Sequence, residues 1–268
     1  ITFSGVEQAN TMMGTSTITG SNTNDSFNVT GQAANTIDAN GVAFNNITSV
    51  TAGSGAADTI VSTEVEAWQL TTDANQIVHD GITYTGLEQA NGAATSSVLG
   101  TAADDTFSVH ADANKIEQAG LVFSNIDVVD GLGGDDTLTA GTDHTWTLDG
   151  IDNELTESGV AFQNIEIAAA TDANVQGRDN VADSFALSTA SNEIEVEGIT
   201  FTTLDSVDGG SGAVLDAIDS DVSQSWALNS ATDSVDAKGI TFSGVEQANT
   251  TTGTSTITGS NTNDSFNV

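Results

Sequence analysis

The chain has 268 residues, with three lysines or arginines against 38 aspartates and glutamates and a formal charge of −35. So negative a surface repels phosphate, which excludes nucleic acid and anionic membrane as natural partners and makes acidic polysaccharide a poor substrate. Cysteine and proline are both absent, so there is no disulfide or thiolate chemistry and no proline-rich linker to divide the chain.

Acidic chains with few aromatics are often disordered, but here hydrophobic residues make up 37% and recur at fixed spacing, which disorder does not require. Residues 1–29, "ITFSGVEQANTMMGTSTITGSNTNDSFNV", return at 240–268 with Thr251 and Thr252 in place of Met12 and Met13. Such a return is the mark of a tandem array, and the chain reads as a slice of one.

Along the chain, the pattern N-x-[IVL]-x-x-x-G-[IVL]-x-[FY]-x-x-[IVL] begins as "NTIDANGVAFNNI" at 35–47 and "NQIVHDGITYTGL" at 75–87. It continues as "NKIEQAGLVFSNI" at 114–126, "NELTESGVAFQNI" at 153–165, "NEIEVEGITFTTL" at 192–204 and, with Asp in first place, "DSVDAKGITFSGV" at 233–245. Its glycines, Gly41, Gly81, Gly120, Gly159, Gly198 and Gly239, are 39 to 41 residues apart. A second landmark, an Asp five or six places after a Gly and followed by [STA]-[FIL], falls at Asp25, Asp58, Asp105, Asp136, Asp183, Asp216 and Asp264. The separations alternate between 31–33 and 47–48, and Trp68, Trp146 and Trp226 each follow every second Asp by ten residues. The full period is therefore close to eighty residues, built from two related halves of about forty.

Local pattern predicts strands. "TFSV" at 106–109, "NKIEQ" at 114–118, "LVFSNI" at 121–126 and "TWTL" at 145–148 alternate apolar with polar residues, and Gly, Asn, Asp and Ser punctuate them as turns. Each forty-residue unit is expected to supply roughly three to five strands of about four to seven residues. The two landmarks place all ten phenylalanines and the only tyrosine at repeat positions, so these rings belong to a core. The three tryptophans, each in fixed register, are read as packing residues rather than sugar platforms.

A forty-residue unit cannot bury an adequate core alone, but a neighbour on each face can complete it. The expected fold is all-β, a right-handed parallel β-solenoid running through 1–268 as one array, with repeats near 1–66, 67–144, 145–224 and 225–268, the outer two partial. Tandem β-sandwiches are the alternative, and they require linkers that the sequence does not show.

"DGLGGDDTL" at 130–138 resembles the Gly- and Asp-rich nonapeptide of RTX proteins, in which consecutive copies form a Ca²⁺-binding parallel β-roll. "AGSGAADTI" at 52–60 and "DGGSGAVLDAI" at 208–218 are weaker versions. The copies stand about eighty residues apart rather than in tandem. More loosely, the elements W-x-L, G-[IV]-x-F-x-x-[IVL]-[ED] and G-x-x-x-x-D-[ST]-[FLI] resemble the repeat regions of giant bacterial surface adhesins and hemagglutinin-like exoproteins. That resemblance implies an extracellular, cell-surface stalk, fibre or biofilm-matrix segment. Its partners would be other copies or neighbouring repeats, with any surface glycan or protein held by regions outside the slice.

The landmark aspartates have two readings. In one they cap turns by accepting backbone N–H groups. In the other they ligate Ca²⁺, chiefly through Asp130, Asp135 and Asp136 and secondarily through Asp25, Asp58, Asp105, Asp183, Asp216 and Asp264. A second acidic row, Glu7, Glu88, Asp127, Glu166, Asp205 and Glu246, is read as the solvent side of a strand. His79, His110 and His144 share no repeat position and pair with no nucleophile motif, so they are read as exposed strand or turn residues and no enzyme is expected. A carbohydrate-acting β-helix enzyme or glycan-binding module is the alternative.

Overall fold

A computed structural model describes residues 8–10, 15–211, 214–229 and 234–260. The chain is all-β, a parallel β-solenoid of about seven turns with about 32 residues per turn. Its strands begin β1 (Gln8–Asn10), β2 (Thr17–Thr19), β3 (Ser26–Asn28), β4 (Thr36–Ala39), β5 (Val42–Asn45), β6 (Ser49–Thr51) and β7 (Thr59–Val61). Next come β8 (Ala67–Leu70), β9 (Gln76–His79), β10 (Ile82–Thr85), β11 (Gln89–Leu99), β12 (Thr106–Val109), β13 (Lys115–Gln118) and β14 (Leu121–Asp130). These are followed by β15 (Thr137–Thr139), β16 (Thr145–Thr147), β17 (Glu154–Glu157), β18 (Val160–Gln163), β19 (Ile167–Gln176), β20 (Ser184–Leu187) and β21 (Glu193–Val196). The last are β22 (Ile199–Asp208), β23 (Ala217–Ser220), β24 (Ser225–Leu228), β25 (Ser234–Ala237), β26 (Ile240–Ser243), β27 (Gln247–Thr250) and β28 (Thr256–Thr258).

Contacts divide the chain into two compact units, Ile1–Asp136 with Ser158–Asn164, and Thr137–Glu157 with Ile165–Val268. Within each, strands fall into two hydrogen-bonded rows. In unit 1 the first row runs β1–β5–β4–β3–β7–β11–β14–β13–β12. The second runs β2–β6–β10–β9–β8–β11–β14–β18. In unit 2 the rows are β15–β19–β22–β21–β20–β23–β27 and β16–β19–β22–β26–β25–β24–β28. The long strands β11, β14, β19 and β22 bend midway and serve both rows.

Parallel partners lie 29 to 35 residues apart, as in Thr145↔Asn174 and Gln8↔Ala43. The forty-residue spacing in the sequence measures something else. It repeats a three-stranded meander in which one strand runs back antiparallel before the coil resumes, as in β3–β4–β5 or β20–β21–β22. The motif glycine closes the meander's two-residue turn. Asn40-Gly41, Asp80-Gly81, Ala119-Gly120, Glu197-Gly198 and Lys238-Gly239 all have positive φ at both positions, the type I′ geometry whose twist matches flanking strands. Meanders alternate between rows, β3–β4–β5 and β12–β13–β14 in the first and β8–β9–β10 in the second. This alternation is the physical origin of the two flavours of unit. First-row meanders open with Phe27, Phe107 or Phe185, and second-row ones with Trp68 or Trp226.

The core lies between the rows. Trp146 of one row sits 6.4 Å from Phe201 of the other in unit 2, and Trp68, Tyr84, Phe123 and Phe162 in unit 1 are fully buried. Rings do not stack on rings along the axis, as continuous aromatic columns would require. Three columns instead start and end with a ring and have aliphatic residues between: Phe27–Ile60–Ala90–Phe123 and Trp68–Val98–Val129–Phe162 in unit 1, Trp146–Val175–Val207–Phe242 in unit 2. Rings in every layer would overfill the space between rows, whereas small middles let neighbouring columns interdigitate. Each buried ring contributes on the order of 1.5–3 kcal/mol. Phe3, Phe266 and Asp264 lie outside the described residues.

Two residues after each meander ring the chain turns its corner in the left-handed region, at Asn46, Gly86, Asn125, Asn164, Thr203 and Gly244. The next side chain, for example Leu87, Ile126 or Leu204, then points into the core. The motif's leading Asn is also left-handed and acts as a clamp. Asn114 Nδ2 donates to Ile126 O at 3.2 Å and to Gly159 O at 3.0 Å, and Asn192 Nδ2 donates to Leu204 O at 2.7 Å and to Gly239 O at 3.2 Å. One side chain thereby ties a corner to the turn of the following meander.

Candidate functional site

The landmark aspartates form ladders. Asp25 N–H donates to Asp58 Oδ1 at 2.7 Å, and Asp58 N–H donates to Glu88 Oε2 at 2.6 Å. Asp105 N–H meets Asp136 Oδ1 at 2.7 Å. In unit 2, Asp183 N–H meets Asp216 Oδ1 at 2.8 Å and Asp216 N–H meets Glu246 Oε2 at 2.8 Å. Asp58, Asp136, Asp216, Glu88 and Glu246 therefore each receive an amide of the preceding coil. The Asp that heads each ladder accepts instead from its own loop, Ser21 N–H for Asp25, Thr101 N–H at 2.6 Å for Asp105 and Arg178 N–H at 2.7 Å for Asp183. Asp25, Asp105 and Asp183 thus cap their own turns, with donors four or five residues before the Asp. Asp58, Asp105, Asp136, Asp183 and Asp216 are all buried, and burial pushes the Asp216 carboxyl above the usual range.

Four members of the second acidic row do more than face water, whereas Asp205 is exposed and Glu7 lies outside the described residues. Glu88 and Glu246 terminate ladders, while Asp127 Oδ1 and Glu166 Oε1 accept Asn114 Nδ2 and Asn153 Nδ2. Asp130 Oδ1 accepts Leu132 N–H at 3.0 Å and Asn164 Nδ2 at 2.7 Å, and Asp135 N–H donates to Asp104 Oδ1 at 2.9 Å. Among the described residues no three or more His, Cys, Asp or Glu side chains are grouped to hold a metal ion.

Two of the three histidines, His79 and His144, depart from expectation. His79 is 7% exposed, its Nε2 3.4 Å from Glu66 Oε2 and its ring 4.9 Å from Trp68. His144 Nε2 is 3.2 Å from Glu157 Oε2, with its ring 4.2 Å from Trp146. These are the same two places in successive repeats, two before the Trp and at the end of the meander's return strand, with acid and base exchanged. At the third occurrence they hold Gln224 and Ala237, both buried. Comparing columns within one residue type hides such a pair; comparing two positions across repeats reveals it. Burial pushes Glu157 up to about 7 and pulls His144 down, so it disfavours the charged form of both partners.

Arg178 is a second group that the repeat pattern does not mark. Its Nε and Nη2 donate to Asp183 Oδ1 at 2.9 and 2.6 Å, and Nη2 lies 3.1 Å from Glu197 Oε1. The guanidinium lies over Gly150, where a Cβ would stand 2.1 Å from Nη1. No protein-family description, curated protein or solved structure matches this chain.

Proposed function

We propose that this chain is a structural segment of the stalk or fibre of an extracellular bacterial adhesin or matrix protein, giving extension, cohesion and display rather than catalysis. The observation that carries the reading is the ladder of parallel strand pairs 29 to 35 residues apart in each unit, reinforced by buried aspartates that receive the preceding coil's amide. A chain so paired resists extension until a whole coil is released. The resemblance of its motifs to surface-adhesin repeats supports an extracellular home, and a charge of −35 supports solubility and separation from nucleic acid and anionic lipid. Ca²⁺ belongs to the proposal as a rigidifying ion, because it accepts carbonyls and water beside carboxylates and the chain has few cations of its own.

Pulling the chain by its ends in optical tweezers tests the mechanical role. Discrete lengthenings of about 110 Å, one extended coil, support it. Smooth extension like that of an unstructured chain refutes it. A chelator titration followed by thermal melting reads the Ca²⁺ contribution, and a screen for glycan turnover reads the enzymatic alternative.

A further inference from the structure

The Arg178 site has a counterpart in unit 1. Gly100 and Gly177 occupy matching places, each facing a landmark Asp Oδ2 and the carbonyl of a following glycine, Gly131 or Gly209. The next residue is Thr101 in one and Arg178 in the other, and both donate N–H to that Asp. The counterparts of Asp183, Gly150 and Glu197 are Asp105, Thr72 and Ala119. Thr101, Asp105, Thr72 and Ala119 all line one cavity of about 490 Å³ in unit 1. The space that a guanidinium fills in unit 2 is thus open in unit 1, where Thr101 is too short to reach across it.

The cavity keeps the chemistry of a cation receptor. Asp73, Asp104, Asp105 and Glu117 line it, and no lysine or arginine does. Asp105 is 7% exposed. Its Oδ2 is held by Thr101 N–H and Oγ1 at 2.6 and 3.0 Å. Its Oδ1, the counterpart of the oxygen that grips Arg178, has no hydrogen bond of its own among the described residues. The nearby Lys115 is engaged elsewhere, with Nζ 2.7 Å from Asp112 Oδ2.

We propose that this unit 1 cavity binds the guanidinium of an arginine side chain presented by a partner protein, with Arg178 as the built-in likeness of its ligand. A planar, delocalised cation suits a site with a buried carboxylate at its base and open walls, whereas a compact ammonium is more strongly hydrated and gains less on entry. The inference is independent of the mechanical role.

The test is titration of the whole 268-residue chain with N-acetyl-arginine amide at low salt, followed by NMR shifts of residues 101–106, beside N-acetyl-lysine amide and an arginine-free amide. Saturable binding, tighter for arginine than for lysine, is expected. Ala119→Glu restores the counterpart of Glu197 and should tighten binding about three- to fivefold, the effect of one added ion pair at a half-exposed site. Thr101→Arg should fill the cavity from within and weaken binding about tenfold or more. Non-saturable shifts, equal binding of both amides, or unchanged binding in Ala119→Glu each overturn the proposal. If Thr101→Arg does not fold, Ala119→Glu decides alone, because its left-handed turn position is already occupied by glutamate at Glu197.

Discussion

Replacing Glu157 by glutamine removes a carboxyl that the fold buries at 9% exposure against His144. Burial raises this group from its ordinary 4.5 to about 7, so the folded state prefers it protonated. A raised carboxyl contributes its stability below the unfolded value. That contribution declines as pH rises from about 4.5 and is lost above about 7. The displacement corresponds to about 3 kcal/mol between the two limits. Glu157→Gln keeps the shape and never ionises, so the variant should match wild type near pH 4.5 and be more stable by about 2–3 kcal/mol at pH 8. His144, held down by burial, contributes the opposite sign in acid and is common to both proteins. The assay is urea unfolding followed by tryptophan fluorescence from pH 4 to 9, read as variant minus wild type so that the other carboxylates cancel. A difference that is flat with pH, or that grows toward acid, refutes the burial argument.

Exchanging the other pair, Glu66→His with His79→Glu, should leave stability within about 1 kcal/mol of wild type, because the next repeat already uses that arrangement; Glu66→His alone should cost about 3 kcal/mol by breaking a buried pair, as read in a double-mutant cycle. Trp146→Ala should destabilise by about 3–5 kcal/mol, since the ring opens a packed column and is fully buried; chemical denaturation measures it. Thr203 holds a β-branched residue at φ 58° where other corners use Asn or Gly, so Thr203→Asn should stabilise by about 1 kcal/mol, seen as a higher melting temperature. Sodium chloride should raise the melting temperature by screening the −35 charge.

Much of the architecture was legible in residue pattern. Alternation named the strands, and the ring positions named the core, with Phe107, Phe123 and Trp68 buried as read. The return strands carry a signal of their own, since Asn40-Gly41 and Asp80-Gly81 between alternating runs are the strongest short hairpin signal, but the regular repetition is also what parallel stacking produces. The aspartates were recognised as special, but not that their oxygens accept amides from the neighbouring coil some 30 residues away, as Asp58 does from Asp25. The two partners are 33 residues apart, and their pairing depends on the register between coils rather than on any local pattern.

By itself the sequence determined what depends on neighbours along the chain: strand alternation, turn glycines, ring positions and the eighty-residue period, because these are set by side-chain direction and backbone freedom over a few residues. Only the tertiary structure decided what depends on register between coils. It made forty-residue motifs into meanders inserted in coils of about 32 residues, set Glu157 against His144, and placed Arg178 between Asp183 and Glu197. These pairings are chosen by which strand edges remain open after each meander folds back, a geometric condition that no residue carries alone.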